Sequence, residues 1–418
     1  MAEVAKNNIN FKSDLQVTSV NVSENEKQKA LDVLQNTTLP TTRVEAWKYT
    51  RVAKLGKIDF VNEKATISDI SNYVIDDTKC SFVFINGHFS KGNSSQEIPA
   101  GVTITLLSEI NAPLSKSSLT IEDEVFNAMN TAHLTGGLKI DITSNALVEI
   151  PIQIIHILKG DSTISNFKTI VNAGKSSQAD LIQGFFSESG ESNFCNSTSE
   201  INVAENAVLR IDKIQYESEK SFHISTEQVK QDKNSNFRIN TFTLNGGLVR
   251  NNLNIDVNGQ NCETHLNGAY LLKNKQHVDN HSVVDHKVAN CESHELYKGV
   301  IDDRSTAVFN GKVFVRPNAQ KINAFQSNGN LLLSDSATIN SKPELEIYAD
   351  DVKCSHGSTT GQLDEEAIFY LRARGLSERS ARHLMVSAFI GDVLDKITNA
   401  NIKTYTRRLL NDRFGWEF

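Results

Sequence analysis

The sequence predicts a mainly β protein, a parallel β-helix core flanked by N-terminal and C-terminal helical regions. Three observations carry this. Between residues 138 and 355 short alternating apolar runs recur at a nearly fixed step of 28 or 29 residues. A repeat of that length belongs to solenoids, and a solenoid built of strands is a β-helix. On both sides of the run the period becomes helical, with capping residues and apolar stripes at three- and four-residue spacing. The expected division is 1–78 as an N-terminal helical region, 79–358 as the strand region and 359–418 as a C-terminal helical domain.

Composition narrows the class. A chain of 418 residues buries a large core without staples, and its five cysteines, Cys80, Cys195, Cys262, Cys291 and Cys354, are scattered with no Cys-x-x-Cys. That usage suits a reducing compartment. The net charge of −7 gives no reason to expect a nucleic-acid surface. The first residues lack the continuous apolar core of a signal peptide. The most apolar run, 150–158, is too short to span a bilayer and carries Gln153 and His156. The expectation is a cytoplasmic protein with neither nucleic acid nor membrane as partner.

Taken in order, residues 1–20 show no periodicity. Ser23 followed by Glu26 is a capping box, and Ala30, Leu31 and Leu34 form an apolar stripe, so a helix is expected over about 24–35. Pro40 ends that unit. Trp47 and Tyr49 are expected as aromatic anchors pinning it to a larger body. From Cys80 onward alternating apolar runs punctuated by Asn, Gly, Ser and Asp read as strands and turns, with a helical interruption at about 121–134.

Within the repeat, 177–183, 205–211 and 233–239 align at a shift of 28 residues, which stacks Leu181, Leu209 and Phe237 and pairs Arg210 with Arg238. A shift of 29 aligns Asn261-Cys-Glu-Thr-His265 with Asn290-Cys-Glu-Ser-His294. The span holds about eight coils, roughly 38 Å of stack at about 4.8 Å per coil. Alternation places Ala207, Leu209 and Ile211 inside and Arg210 and Asp212 outside. Cys262 and Cys291 are expected on neighbouring coils, as small inward fillers or as ligands.

Beyond Thr360 helices are expected at about 362–374, 377–396 and 399–413. The first has acids in its opening turn, Arg372 and Arg374 in its last, and Gly375 as terminator. The second presents Ala381, Leu384, Met385, Ala388, Phe389 and Val393 on one side; the third presents Ile402, Tyr405 and Leu409. The apolar tail 414–418 calls for a partner surface.

Soft metal ligands stand where strand gives way to helix. Cys354 and His356, two apart on an extended backbone, leave the same face with their Cα atoms about 6.5 Å apart. A thiolate and an imidazole at that spacing suit one iron or zinc ion. The same residues also fit a core thiol and a hydrogen-bonded turn histidine. Two ligands do not close a tetrahedral site, so any metal here takes its remaining ligands from another subunit.

Val-Lys-Cys-Ser-His-Gly at 352–357, Gly-Gln-Leu-Asp-Glu-Glu-Ala-Ile-Phe-Tyr-Leu-Arg-Ala-Arg-Gly at 361–375, Leu-Leu-Leu-Ser-Asp-Ser-Ala at 331–337 and Lys-Pro-Glu-Leu-Glu-Ile-Tyr-Ala-Asp-Asp at 342–351 resemble the SufB/SufD family of iron–sulfur cluster assembly proteins. The likeness is strongest over 276–395, and Glu45-Ala-Trp-Lys-Tyr-Thr50 resembles the SufD N-terminal motif. Length and the lack of a clustered N-terminal cysteine motif favour the SufD branch. The resemblance implies a right-handed parallel β-helix with helical domains at both ends. It implies pairing with SufB, docking of the ATPase SufC on the C-terminal helices, and a transient cluster at the SufB contact to which Cys354 and His356 contribute. Homodimers in isolation are a further expectation.

Other constellations are weaker. His277, Asp279, His281 and Asp285 share one parity and are expected as an exposed polar ladder, since His277 and His281 lie about 13 Å apart on a strand. Gly174-Lys-Ser176 falls short of a phosphate loop because Thr169 stands where the first glycine belongs, so no nucleotide is expected on this chain. The alternative function is a β-helix carbohydrate-active enzyme using acids such as Asp279, Asp285, Asp302 and Asp303.

Overall fold

Two parallel sheets wound from one spiral of chain form the body of the computed structural model, which describes residues 10, 11, 20–75, 78–114, 117–121, 124–188, 190 and 192–415. The first sheet stacks Ile152–Leu158, Gln178–Ser187, Val208–Tyr216, Asn236–Asn245, Glu263–Leu272, Glu292–Ile301, Ile322–Leu332 and Val352–Gly361. The second stacks Gly136–Ile142, Ile164–Ala173, Phe194–Val203, Phe222–Gln231, Leu248–Val257, His277–His286, Thr306–Val315 and Thr338–Ile347. Each coil gives one strand to each sheet, so the repeat is a β-solenoid of about eight turns.

One corner of every coil explains the recurring asparagines. Asn145, Ser176, Asn206, Asn234, Asn261, Asn290 and Lys321 turn the chain from the second sheet to the first with φ of 57–65°. Among residues with a Cβ, Asn adopts this left-handed conformation at least cost. Its side chain also bridges coils: Asn234 Nδ2 donates to Asn206 Oδ1 (2.9 Å), and Asn261 Nδ2 to Asn234 Oδ1 (3.0 Å).

The register corrects one expected step. Leu209 pairs with Phe237 and Arg210 with Arg238 as the repeat requires, but Leu181 pairs with Ile211 and Ala179 with Leu209. The cause is the opposite corner: the strand Gln178–Ser187 with its connection 188–193 runs two residues longer than Val208–Tyr216 with its connection 217–221. Ala207, Leu209 and Ile211 lie in the core and Arg210 faces outward, half-buried. Asp212 shares Arg210's outward parity, yet is buried. Asn240 donates to it (2.7 Å), and burial raises its carboxyl to about 7.

Helix α1 (Glu24–Asn36) starts where Ser23 Oγ accepts from the Glu26 amide (3.3 Å). Helix α2 (Val125–Ala132) falls inside the expected interruption. Of the two aromatic anchors, only Trp47 is buried; its ring centre lies 5.3 Å from that of Phe126 and 3.9 Å from the Arg250 guanidinium, while Tyr49 is exposed. With Phe60, Val125 and Met129, Trp47 packs on Ile164, Phe194, Phe222 and Leu248 of the second sheet.

Helix α3 (Glu365–Ala373) is capped by Asp364 and followed by Gly375 at φ 98°, a conformation that costs glycine little. Ser377 caps α4 (Glu378–Leu394) and Asn399 caps α5 (Ala400–Phe414). These helices leave the far end of the coil stack open and fold back along the first sheet. Val386, Ile390, Val393, Ile402, Tyr405 and Leu409 form one cluster with the outward-facing Ile155, Ile182, Phe186, Phe242 and Leu271. Each fully buried large apolar side chain contributes roughly 1.5–3 kcal/mol, so the helices and the sheet stabilise each other. Of the contact face expected for α4, Ala381, Met385, Phe389 and Val393 pack in this cluster, while Leu384 and Ala388 are exposed and Val386 and Ile390 are buried as well. Amphipathic spacing alone did not identify the covering sheet. Phe414 is half-buried, and 416–418 lie outside the described residues, as do most of 1–20.

Candidate functional site at the last coil

The strand Val352–Gly361 closes the first sheet at one edge and, among the described residues, pairs only with Ile322–Leu332. No residue in it is buried. Its backbone therefore presents an open edge, with unpaired N–H and C=O groups that a second chain is able to use.

Register fixes the facing of the two predicted ligands. Val352, Cys354 and His356 continue the inward column of Ile322, Ala324 and Gln326. Cys354 is half-buried against the core and His356 is exposed. Burial raises the Cys354 thiol pKa, partly opposed by a hydrogen bond from the Ala324 backbone. The column behind His356 is polar. Gln326 Nε2 donates to Glu295 Oε2 (3.0 Å), and Ser282 Oγ also donates to Glu295. Burial pushes the Glu295 carboxyl up to about 7. This run beneath the ligand pair escaped sequence reasoning; continuing the repeat from 326 to 356 would have signalled its Gln326 end.

Among the described residues, no third Cys, His, Asp or Glu joins Cys354 and His356 within ligand reach. On the outer face, the 29-residue step that aligned Cys262 with Cys291 also stacks His265 on His294 (5.3 Å), and the next coil stacks His294 on Phe325 (5.5 Å). The edge strand thus carries a donor pair on its inward side, and the aromatic ladder of the outer face ends one strand earlier, at Phe325.

The remaining candidates have structural partners. Cys262 and Cys291 are buried neighbours in the core, their sulfurs facing carbonyls at Asp232 and Gly259 (both 3.0 Å from Cys262) and Gly259 (3.3 Å from Cys291). In the expected exposed ladder at 277–285, His277 and Asp279 are instead covered by the N-terminal segment. Asp279 is buried, with Arg250 Nη1 and Thr50 Oγ1 each at 2.5 Å and His281 at 2.9 Å. His277 Nε2 lies 2.8 Å from Thr50 Oγ1. The missing information was that Thr50 and Trp47 fold over this face.

Asp285 is held by Arg316 through Nε (2.7 Å) and Nη2 (3.0 Å), while Asp302 and Asp303 accept turn amides. Gly174, Lys175 and Ser176 form a coil corner, where Lys175 pairs with Glu205 (2.7 Å). A large basic concavity lies elsewhere, lined by Arg51, Lys54, Lys57, Lys220, Lys275 and Arg304, and does not include Cys354 or His356.

A family model described as "SUF system FeS cluster assembly, SufBD core domain" matches residues 156–389, and one described as "SufBD protein N-terminal region" matches 9–154. The chain belongs to the SufBD family. It is 32% identical to an iron–sulfur cluster assembly SufBD family protein of Synechocystis, over 95% of this chain and 92% of that one. It is 30% identical to the iron–sulfur cluster assembly protein SufD of Escherichia coli, over 90% of this chain and 89% of that one. As a SufBD protein it is SufD-like. Among its described residues, no helix is long and apolar enough to cross a membrane.

Proposed function

We propose that this SufBD protein is a non-catalytic scaffold subunit of the SUF iron–sulfur cluster assembly complex in the cytoplasm. Its bare coil pairs with a SufB-like paralogue, and Cys354 and His356 supply part of a nascent-cluster site at that contact. The observation that carries this reading is the open edge: both soft donors stand on the last strand of the first sheet, in which no residue is buried. Two donors leave a four-coordinate iron two ligands short, and the partner's edge brings the others. The cluster is cargo, bound transiently. Where the paralogue is absent, the same edge pairs two copies of this chain as a homodimer.

A SufC-like ATPase docks on the C-terminal helices, whose outer surface exposes Phe369 (73%) and Tyr370 (57%). Any nucleotide is bound by that partner. Because α4 and α5 bury the first sheet, deletion of the helices would expose its apolar face, and point substitution at Phe369 and Tyr370 is the cleaner probe. The carbohydrate-enzyme alternative is disfavoured by its own candidate acids, each engaged in an ion pair or a turn.

The test is co-expression of Cys354→Ser and His356→Ala with the SufB-like and SufC-like partners. The reading expects assembled complex with strongly reduced cluster yield. Full yield in both variants removes the ligand role.

A further inference from the structure

We propose that the solenoid interior holds a resident metal site remote from the bare coil: one divalent first-row ion of the Fe(II)–Zn(II) class, bound by Cys195, Glu217 and His223. The site goes beyond the scaffold reading and stands or falls separately from it.

The fold brings the three groups together from different strands. Cys195 and His223 are inward-facing neighbours in register on the adjacent strands Phe194–Val203 and Phe222–Gln231 of the second sheet. Glu217 follows directly on Val208–Tyr216 of the first sheet. One ligand atom from each lies within 4.8 Å of the other two, and Glu217 Oε2 is 2.7 Å from His223 Nδ1. All three are buried. Further along the stack the same inward column is Val249, Val278 and Ala307, the apolar filling a solenoid interior calls for. A thiol, a carboxylate and an imidazole in place of such fillers carry a desolvation cost that needs compensation.

Charge and chemistry identify the compensating group. The nearby buried cation, Lys213, is already neutralised by Glu227 (2.6 Å) and donates also to Ser225 (2.6 Å) and Asn251 (3.0 Å). A divalent ion with one thiolate, one carboxylate and a neutral imidazole leaves the remaining cluster uncharged. Sulfur, nitrogen and carboxylate oxygen together suit ions of borderline softness, and three protein ligands leave one tetrahedral position for a small ligand. Neighbouring groups fix the orientation of the imidazole, since Ser197 Oγ lies 3.4 Å from Nε2 and the Phe185 ring meets it edge-on at 4.6 Å. On binding, the Cys195 S–H bond breaks, sulfur bonds to the metal, and the proton leaves to solvent, so uptake strengthens as pH rises.

The test uses the full-length chain carrying Cys354→Ser and His356→Ala, stripped of metal while unfolded and refolded with Co(II). It is expected to retain a single equivalent through gel filtration, with thiolate-to-cobalt charge-transfer absorption. Adding Cys195→Ser abolishes that absorption, and adding Glu217→Gln or His223→Gln weakens retention by about ten-fold or more, with circular dichroism unchanged. Zn(II) raises the melting temperature of the parent and not of the Cys195→Ser chain. A folded parent that retains no Co(II), or equal uptake by parent and Cys195→Ser, overturns the site. If Cys195→Ser fails to fold, the Glu217→Gln chain decides: undiminished uptake there overturns the site equally.

Discussion

Cys354 lies in register over Ala324, which is fully buried, and no strand follows Cys354 in the sheet. The sulfur therefore occupies an inward position that the chain's own next coil does not cover. The other four cysteines are buried. In the native monomer, iodoacetamide is expected to modify Cys354 first, as read by peptide mass spectrometry. Because burial raises this thiol's pKa, the rate should keep climbing with pH beyond the ordinary cysteine range of about 8.5. Equal labelling of all five sites would contradict this placement.

The N-terminal cover is locked by the buried Arg250–Asp279 pair, to which Thr50 and the Ala46 carbonyl add hydrogen bonds. Removing one partner strands the other charge. Asp279→Ala should cost about 3–5 kcal/mol in urea unfolding. Limited proteolysis should then cut near Trp47 sooner than in the wild type.

Glu295 gives stability a definite pH dependence. Burial raises its carboxyl from 4.5 to about 7, so the folded state favours the protonated form. Its contribution is complete below the unfolded value, declines as pH rises toward about 7, and levels off above. Relative to Glu295→Gln, the wild type should lose roughly 3 kcal/mol across that window, measured by denaturant unfolding at several pH values. A flat difference would show the carboxyl to be solvated.

At the coil corners, Asn234 combines a φ of 57° with hydrogen bonds to Asn206 and Asn261. Asn234→Ala should destabilise by about 1–2 kcal/mol through its left-handed backbone, whereas Asn234→Gly loses only the side-chain ladder. Comparing their urea midpoints separates backbone strain from the hydrogen bonds.

Much of this architecture was legible because a solenoid writes its geometry into a period. Arg210 pairs with Arg238, and Cys262 neighbours Cys291, as the repeat required. Leu181 slipped by two positions because the corner opposite the asparagines varies in length, which strand alternation does not record. Asp212 and Asp279 read as exposed because their own strands placed them outward; the segments that cover them come from far along the chain. For Cys354 and His356 the sequence located the donors, while their inward parity and the polar column through Gln326 to Glu295 required the register.

Backbone amide hydrogen exchange, with and without the SufB-like paralogue, tests the central claim most directly. The account predicts that amides of Val352–Gly361 exchange freely in the isolated monomer and gain strong protection in the complex, with the middle coils unchanged. Protection confined to other surfaces, with Val352–Gly361 still open in a formed complex, would contradict it.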